Sequence, residues 1–407
     1  MKVCHIARDI RASGGGEVVK QVSLKMAKQG ITVVVITDTA SVDLGPGIRI
    51  VETPFGDRLL KWMPTSRTGW LLRHLAQIVV FTVMSSLIGG WFRFKGFLVF
   101  NHNCESLVGQ VLVMHNVFSA EFSARSLSLP QRLKALANPV RLLRISKEIL
   151  LSRPKFGKIL ISVSEGAKGD VEALAGGSQR VRVIENGVDI ERFGQSADLE
   201  VPSVVTDWKR AADILHTILF IGHEWKRKGL DELIAAMTDL PSNFGLVVVG
   251  GTSQNRELYD HKIAQLGIGE RVFFAGEWPD VRPFLAGADI FCLPSHAETM
   301  PLVALEALAA GVPIVLTPEC PASALIVEGL NGAVTGCVPR EIALAIERSV
   351  NVASEKASSV RIKGTVDRYD WDIVASGYIE VAADLIHSAP RSAFRDKGDE
   401  LESGTNR

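Results

Sequence analysis

Cysteine is scarce. The chain has five in 407 residues (Cys4, Cys104, Cys292, Cys320 and Cys337), and none falls in a Cys-x-x-Cys pair. That excludes a disulfide framework or a finger-type zinc site, and it suits a reducing compartment, with the cytoplasm as the default. Net charge is missing too, because Lys+Arg and Asp+Glu both total 45, so it says nothing about partners by itself; no nucleic acid is expected among them. No Gly-x-Gly-x-x-Gly fingerprint and no phosphate-loop lysine motif occurs, so the usual signals of nicotinamide and P-loop enzymes are absent. His223-Glu224 opens like a zinc-protease motif, but position 227 is Arg and the second His is lacking. Met1–Arg8 has neither the apolar run nor the small-residue cleavage site of a signal peptide. Charge is also absent from Leu75 to Phe92. Eighteen helical residues rise about 27 Å, barely the thickness of a bilayer core. Gln77, Thr82, Ser85, Ser86, Gly89 and Gly90 dilute that run, and a strand-like Phe97–Phe100 follows at once. The segment reads as a buried or interface-lying helix of an α/β domain.

Hydrophobic residues make up 47% and charged residues 22%, ordinary globular usage at a length that suits two domains. Charge is divided between the halves. Residues 1–185 carry 25 Lys/Arg against 13 Asp/Glu, and the remainder carries 20 against 32. Such a split suits two domains with different partners, the basic one favouring an anionic surface or a phosphorylated acceptor. A plainer reading is that the two domains attract each other.

Strand and helix patterns alternate along the chain. Val3–Ala7 and the β-branched run Ile31–Thr37 read as strands, with Gly14–Gly16 as a break and Glu17–Gln29 as a helix between them. Val111–Met114 and Ile159–Val163 are further strands. After Asn186-Gly187 the pattern restarts, with strands at Thr217–Ile221, Gly245–Val249, Val272–Ala275, Ile290–Leu293 and Pro313–Leu316. The predicted fold is α/β, with two doubly wound, Rossmann-like domains facing a central cleft. Residues 1–185 form the first domain and 186–372 the second. A helix over 373–386 crosses back to the first domain, and 388–407 is a polar, disordered tail.

The most informative stretch runs from Pro294 to Val315. Glu298 and Glu306 flank seven residues there, the first in a loop after a strand, the second inside a helix that Pro301 suits as a first-turn residue. A continuous helix would turn the two side chains about 80° apart. The loop–helix break lets them meet opposite ends of one extended molecule. Backbone N–H groups at Met300, Leu302 and Val303 would face an anion between them. A sugar nucleotide has that layout of polyol, diphosphate and ribose. Taken alone, two such Glu are usually solvated surface, and only the surrounding motif favours a functional reading.

That Glu-x7-Glu stretch, followed by Ala307 and Gly311-Val312-Pro313, resembles the retaining glycosyltransferases of family 4, which have the GT-B fold. Phe220–Gly229, Asn186–Phe193, Gly14–Glu17, Val113–His115, Ser162–Glu165 and Tyr369–Trp371 match further family motifs in order along nearly the whole chain. The resemblance implies that Glu306 accepts from the ribose hydroxyls and Glu298 from the transferred sugar. Arg227 and Lys228 would neutralise the diphosphate, His115 would contact the sugar, and Gly15 and Gly16 would allow close backbone approach. Thr299, Met300, Pro301 and Leu302 would line the donor site. It also implies that no bound metal or other cofactor is needed, since cations of the chain replace it. Physics agrees on the cations: charge developing on a departing phosphate oxygen is stabilised by prepositioned positive groups. His223 stands where many members have Arg, and Thr299 where many have Gly. His115 and His102 equally suit structural histidines, and Lys226–Lys228 a solvated loop.

Arg132–Lys158 carries eight Lys/Arg against Glu148 alone, with Leu133, Leu136, Val140, Leu143 and Leu150 as an apolar stripe. It reads either as a membrane-surface helix or as one packed on the sheet. The expected activity is transfer of a hexose-type sugar from a nucleotide donor to a hydroxyl of a lipid-linked or cell-surface polysaccharide or lipopolysaccharide intermediate. The expected place is the cytoplasm, with peripheral contact at the inner face of the membrane. A nicotinamide-dependent oxidoreductase and a non-catalytic sugar-nucleotide-binding scaffold are the alternatives.

Overall fold

The structure, a computed structural model, describes residues 1–10, 14–40, 43–123, 138–251, 253–353 and 356–388. The chain divides into two compact units, Met1–Glu185 with Trp371–Arg407, and Asn186–Asp370. The expected disordered tail lies, apart from Ser388, outside the described residues, as do Arg132–Ala137 of the basic segment.

The first unit holds a seven-stranded parallel sheet built from β1 (Lys2–Ile6), β2 (Thr32–Thr37), β3 (Ile48–Glu52), β4 (Leu98–His102), β5 (Val111–Met114), β6 (Ile159–Ser162) and β7 (Val181–Val183). Their order is β3-β2-β1-β4-β5-β6-β7. Buried β-branched residues such as Val33–Ile36 make the central strands apolar on both faces, as helices on each side of a parallel sheet require. Helix α1 (Gly14–Lys28) follows β1 and ends at Gly30, whose φ of 77° supplies the left-handed exit. The glycine triplet was expected to break the chain before a helix at Glu17. It forms instead the helix's first turn, where side-chain-free residues cost little once Glu17 meets the dipole and Val18, Val19 and Val22 pack on the sheet.

Helix α2 (Arg67–Phe94) is the charge-poor segment of the sequence, and Ser66 caps it by accepting from the Gly69 N–H. Its Phe81 and Phe92 pack with Ile6, Val34, Ile36 and Val99 on one face of the sheet. Helix α3 (Pro139–Leu151) begins at the Asn138 cap. Its charges do not all face water. Lys147 is buried and donates to Thr82 Oγ1 at 2.9 Å. Glu148, buried too, accepts from the Phe118 and Ser119 N–H groups.

The second unit has a six-stranded parallel sheet of β8 (His216–Ile221), β9 (Phe244–Val249), β10 (Val272–Gly276), β11 (Ile290–Leu293), β12 (Ile314–Leu316) and β13 (Gly332–Val334), in the order β10-β9-β8-β11-β12-β13. Helices α4 (Leu230–Ala236) and α5 (Leu302–Ala309) follow β8 and β11. The final helix α6 (Trp371–Ser388) begins two residues earlier than expected and belongs to the first unit. There Asp372 pairs with Lys25 at 2.7 Å, and Tyr378 sits with its ring centroid 6.1 Å from that of Phe100. Strands β7 and β13 escape sequence reading because they have only three residues each, and β3 because none of its residues is fully buried and Arg49 interrupts its apolar run.

Candidate active site

In each sheet the first strand has its sequence neighbour on one side and a later strand on the other: β1 lies between β2 and β4, and β8 between β9 and β11. Loops that leave the carboxyl ends of such strand pairs diverge, and ligands of open α/β sheets bind in the crevice this makes.

In the second unit the two diverging loops are 222–229 after β8 and 294–301 after β11. They are fastened together by backbone. Arg227 O accepts from the His296 N–H at 2.9 Å, and a Cβ on Gly229 would stand 1.9 Å from Pro294 O. With φ at 76°, Gly229 is required twice over. Trp225 anchors the first loop. It is buried, meets Tyr259 edge to face and Phe274 at a tilt, and donates through Nε1 to Gly222 O at 2.9 Å.

This arrangement converges on Glu298. Its Oε1 lies 2.7 Å from Lys228 Nζ and 3.1 Å from Arg227 Nη1. Arg227 also pairs with Glu224 at 2.6 Å and donates to Ala297 O. Burial disfavours the Arg227 charge, but the carboxylates of Glu298 and Glu224 outweigh it and hold the guanidinium's pKa above its usual value. Arg227 keeps about a third of its side chain open, whereas Lys228 and Glu298 keep only 13% and 10%. The lysine reaches the carboxylate by passing over Gly222, where a Cβ would come 2.3 Å from Lys228 Cδ. Two cations and one acid are thus set side by side, though they are 70 residues apart in sequence.

The remaining donor-site candidates fall into two kinds. Thr299 is half-buried in the loop, and Glu306 is half-buried on α5. Val303 and Glu306, three apart, form the partly open side of α5, the rest of which is buried. Met300, Pro301 and Leu302 are buried, so their side chains serve the core and only their backbone can meet a ligand. The Met300 carbonyl is already taken by Asn186 Nδ2 at 3.0 Å. No side chain caps the start of α5. His223 turns away from Glu298: its Nδ1 accepts from the Gly251 N–H and lies 3.5 Å from Glu277.

The first unit supplies a constellation that the sequence did not announce. His5 of β1, His102 of β4 and His115 just beyond β5 stand on three adjacent strands and form a chain. His5 Nδ1 lies 3.0 Å from His102 Nε2, and His102 Nδ1 lies 2.8 Å from His115 Nε2. Burial holds all three imidazoles neutral, lowering His5 to about 3, His115 to about 4, and His102 well below its ordinary value. A neutral imidazole has one donor and one acceptor, so the chain runs in one direction or the other. His5 Nε2 is buried without a partner. An orphaned buried N–H is rarer than an unmet acceptor, so the network assigns the proton to His5 Nδ1, then to His102 Nδ1, then to His115 Nδ1. His115 therefore offers an N–H donor, not a base. Asn103, in the left-handed region at φ 51°, fixes its backbone by accepting from the His115 and Asn116 N–H groups. Gly15 lies over the ring, and a Cβ there would sit 3.8 Å from His115 Cδ2. Gly16 is buried in the same turn of α1. A histidine within or just after each of three predicted strands was the available signal, but neighbourhood in the sheet cannot be read from one strand alone.

Two doubly wound parallel-sheet units have the architecture of the GT-B glycosyltransferases. The family models agree: "Glycosyltransferase Family 4" matches residues 12–192 and "Glycosyl transferases group 1" matches 209–362. The chain belongs to the family 4 glycosyltransferases and is an enzyme of that class. A D-inositol 3-phosphate glycosyltransferase of Xylanimonas cellulosilytica is 26% identical over 93% of both chains. The lipopolysaccharide core biosynthesis glycosyltransferase LpsE of Rhizobium meliloti is 31% identical over 41% of this chain and 49% of its own length. An uncharacterized glycosyltransferase of Methanocaldococcus jannaschii is likewise spanned for 59% of its length. The crystal structure of WaaG, a glycosyltransferase involved in lipopolysaccharide biosynthesis, superposes with a TM-score of 0.71 at 18% identity, covering 95% of this chain and 100% of that one. Anabaena HepE in complex with UDP-glucose gives 0.65 at 18% identity over 95% and 100%.

Proposed function

We propose that this enzyme moves a hexose-type sugar from a nucleotide diphosphate donor to a hydroxyl of a lipid-linked or lipopolysaccharide-type saccharide, with retention of anomeric configuration. The observation that carries the reading is the pairing of Lys228 and Arg227 with Glu298 where the loops after β8 and β11 diverge. Breaking the bond from the anomeric carbon to the diphosphate oxygen leaves negative charge on that oxygen. Cations already held in place stabilise it without reorganising in the act. Glu298 positions both cations and has oxygen lone pairs left to accept from sugar hydroxyls. Glu306, eight residues on and on a helix, would accept from the ribose hydroxyls. His115, as a neutral N–H donor, suits a sugar hydroxyl or a phosphate oxygen better than it suits proton abstraction. Because cations of the chain carry the leaving-group charge, the reaction needs no resident metal.

The names of LpsE and WaaG support an acceptor of the lipopolysaccharide class. The UDP-glucose complex of HepE supports a uridine nucleotide sugar among the first donors to try. The reading places the enzyme in the cytoplasm, at the inner face of the membrane where lipid-linked acceptors lie. The direct test incubates the protein with UDP-, GDP- and ADP-sugars in the presence of a chelator and follows free nucleotide diphosphate. Release from one donor is expected, and its loss in Glu298→Gln; no release from any of them overturns the reading. The anomeric configuration of the product, read by proton coupling constants, tests retention.

A further inference from the structure

Helix α2 is apolar on its outer side as well as its inner one. Its buried side carries Arg73, Thr82 and Ser85 among Ile78, Phe81 and Phe92. Two of those polar groups are bonded inside the protein: Thr82 Oγ1 donates to Ile78 O and accepts from Lys147, and Ser85 Oγ donates to Thr82 O at 3.5 Å. The side facing outward is Leu72, Val79, Val83, Leu87, Trp91 and Phe94, with Leu87 66% and Phe94 73% exposed. Steps of seven, four, four, four and three keep these six on one stripe along the helix. A stripe of this length is far from the scattered apolar residues of an ordinary surface.

The charge along the helix and its flanking sequence has one sign. Between Asp57 and Glu105 the sequence has no Asp or Glu, while Arg58, Lys61, Arg93 and Lys95 are exposed near the two ends of the helix. Lys95 lies over the Trp91 ring at 5.9 Å and Arg58 over the exposed Phe55 ring at 5.8 Å, so aromatic and cation are paired at both ends. Beside the last turn of α2 is a cavity of about 300 Å³ lined by Lys2, Arg49, Lys95, Trp91, Phe92 and Phe97. It opens at the amino ends of β1 and β2, the edge of the sheet opposite the histidine chain.

We infer that the outer face of α2 lies in the plane of an anionic phospholipid surface, with the Lys2–Arg49–Lys95 cavity taking a lipid phosphate. The inference rests on the proposed lipid-linked acceptor and names the surface that would present the enzyme to it. In length the helix would reach across a bilayer, but its inner face is packed on the sheet, so it lies along the surface and does not cross. Apolar side chains sink into the acyl boundary, tryptophans sit at headgroup level, and the cations meet lipid phosphates. Acid-free flanks are what favour this occupant over another protein face of mixed charge.

The test floats the full chain with vesicles of phosphatidylglycerol and phosphatidylethanolamine, and in parallel with phosphatidylcholine alone. Binding to the anionic vesicles is expected to be at least about tenfold stronger, since each cation near such a surface contributes about fivefold. Val83→Glu with Leu87→Glu should lower it by about tenfold or more. Arg49→Glu with Lys95→Glu should abolish the preference for the anionic vesicles. All four positions are exposed, so donor turnover in solution should match that of the unaltered chain; it reports the transferase reading separately. Equal retention on both vesicles, or unchanged binding of the Val83/Leu87 variant, overturns the inference. So does a solution dimer that this variant abolishes, since a second copy would then be the occupant.

Discussion

His102 Nδ1 lies 2.8 Å from His115 Nε2, with the two rings nearly coplanar in orientation at 9° and centroids 5.1 Å apart. This contact ties the proton position on His115 to a residue that is itself 2% exposed. His102→Leu removes the donor that fixes the tautomer and leaves His115 Nε2 unpaired. Loss of a buried hydrogen-bond partner costs about 1–3 kcal/mol. Donor turnover is expected to fall about tenfold with the donor KM little changed, as steady-state kinetics would show; His102→Gln, which can still donate, should recover part of it.

The same chain sets the acid response. His5 and His115 have native pKa values of about 3 and 4, below the ordinary 6.5, so the unfolded chain binds more protons between those limits. Stability then rises with pH, is fully present above about 6.5 and is lost as the pH falls toward 4. Asp38 acts the other way, because burial raises its carboxyl to about 6 and the native state holds the extra proton. Urea unfolding at pH 7, 6 and 5 should give falling midpoints, with a shallower fall in His5→Phe. A flat profile would contradict neutral buried histidines.

At the donor site, Lys228→Met and Glu298→Gln remove opposite halves of one contact. Each should reduce nucleotide diphosphate release by about a hundredfold, the scale of losing one preorganised charge partner. The double variant should be no worse than about the poorer single, because the two act as a unit. Fully additive losses in a double-mutant cycle would show that the two groups act independently.

Two glycines separate packing from chemistry. In Gly222→Ala the new Cβ meets only the flexible stem of Lys228, so the fold should survive with a change of under about 1 kcal/mol while turnover drops. In Gly229→Ala it meets the Pro294 backbone at a positive φ, and thermal unfolding should show a loss of about 2 kcal/mol or more. Equal behaviour of the two variants would refute this division.

Much of this enzyme was legible before any coordinates. Alternating β-branched strands and helix-period stretches specify a doubly wound α/β fold because parallel strands must be covered on both faces. The motif residues Arg227, Lys228 and Glu298 stand out by residue type and spacing. Local pattern alone could not say that Gly14–Gly16 would enter a helix, since glycine's poor propensity is overridden by packing of the next two turns. Nor could it tell that Lys147 points inward, or that α2 shows its apolar side to solvent, because an all-round apolar run has no face until a sheet takes one. The three histidines are the clearest case. The sequence set each within or just after a strand; strand order, a long-range property fixed by crossover connections, alone made neighbours of residues up to 97 positions apart.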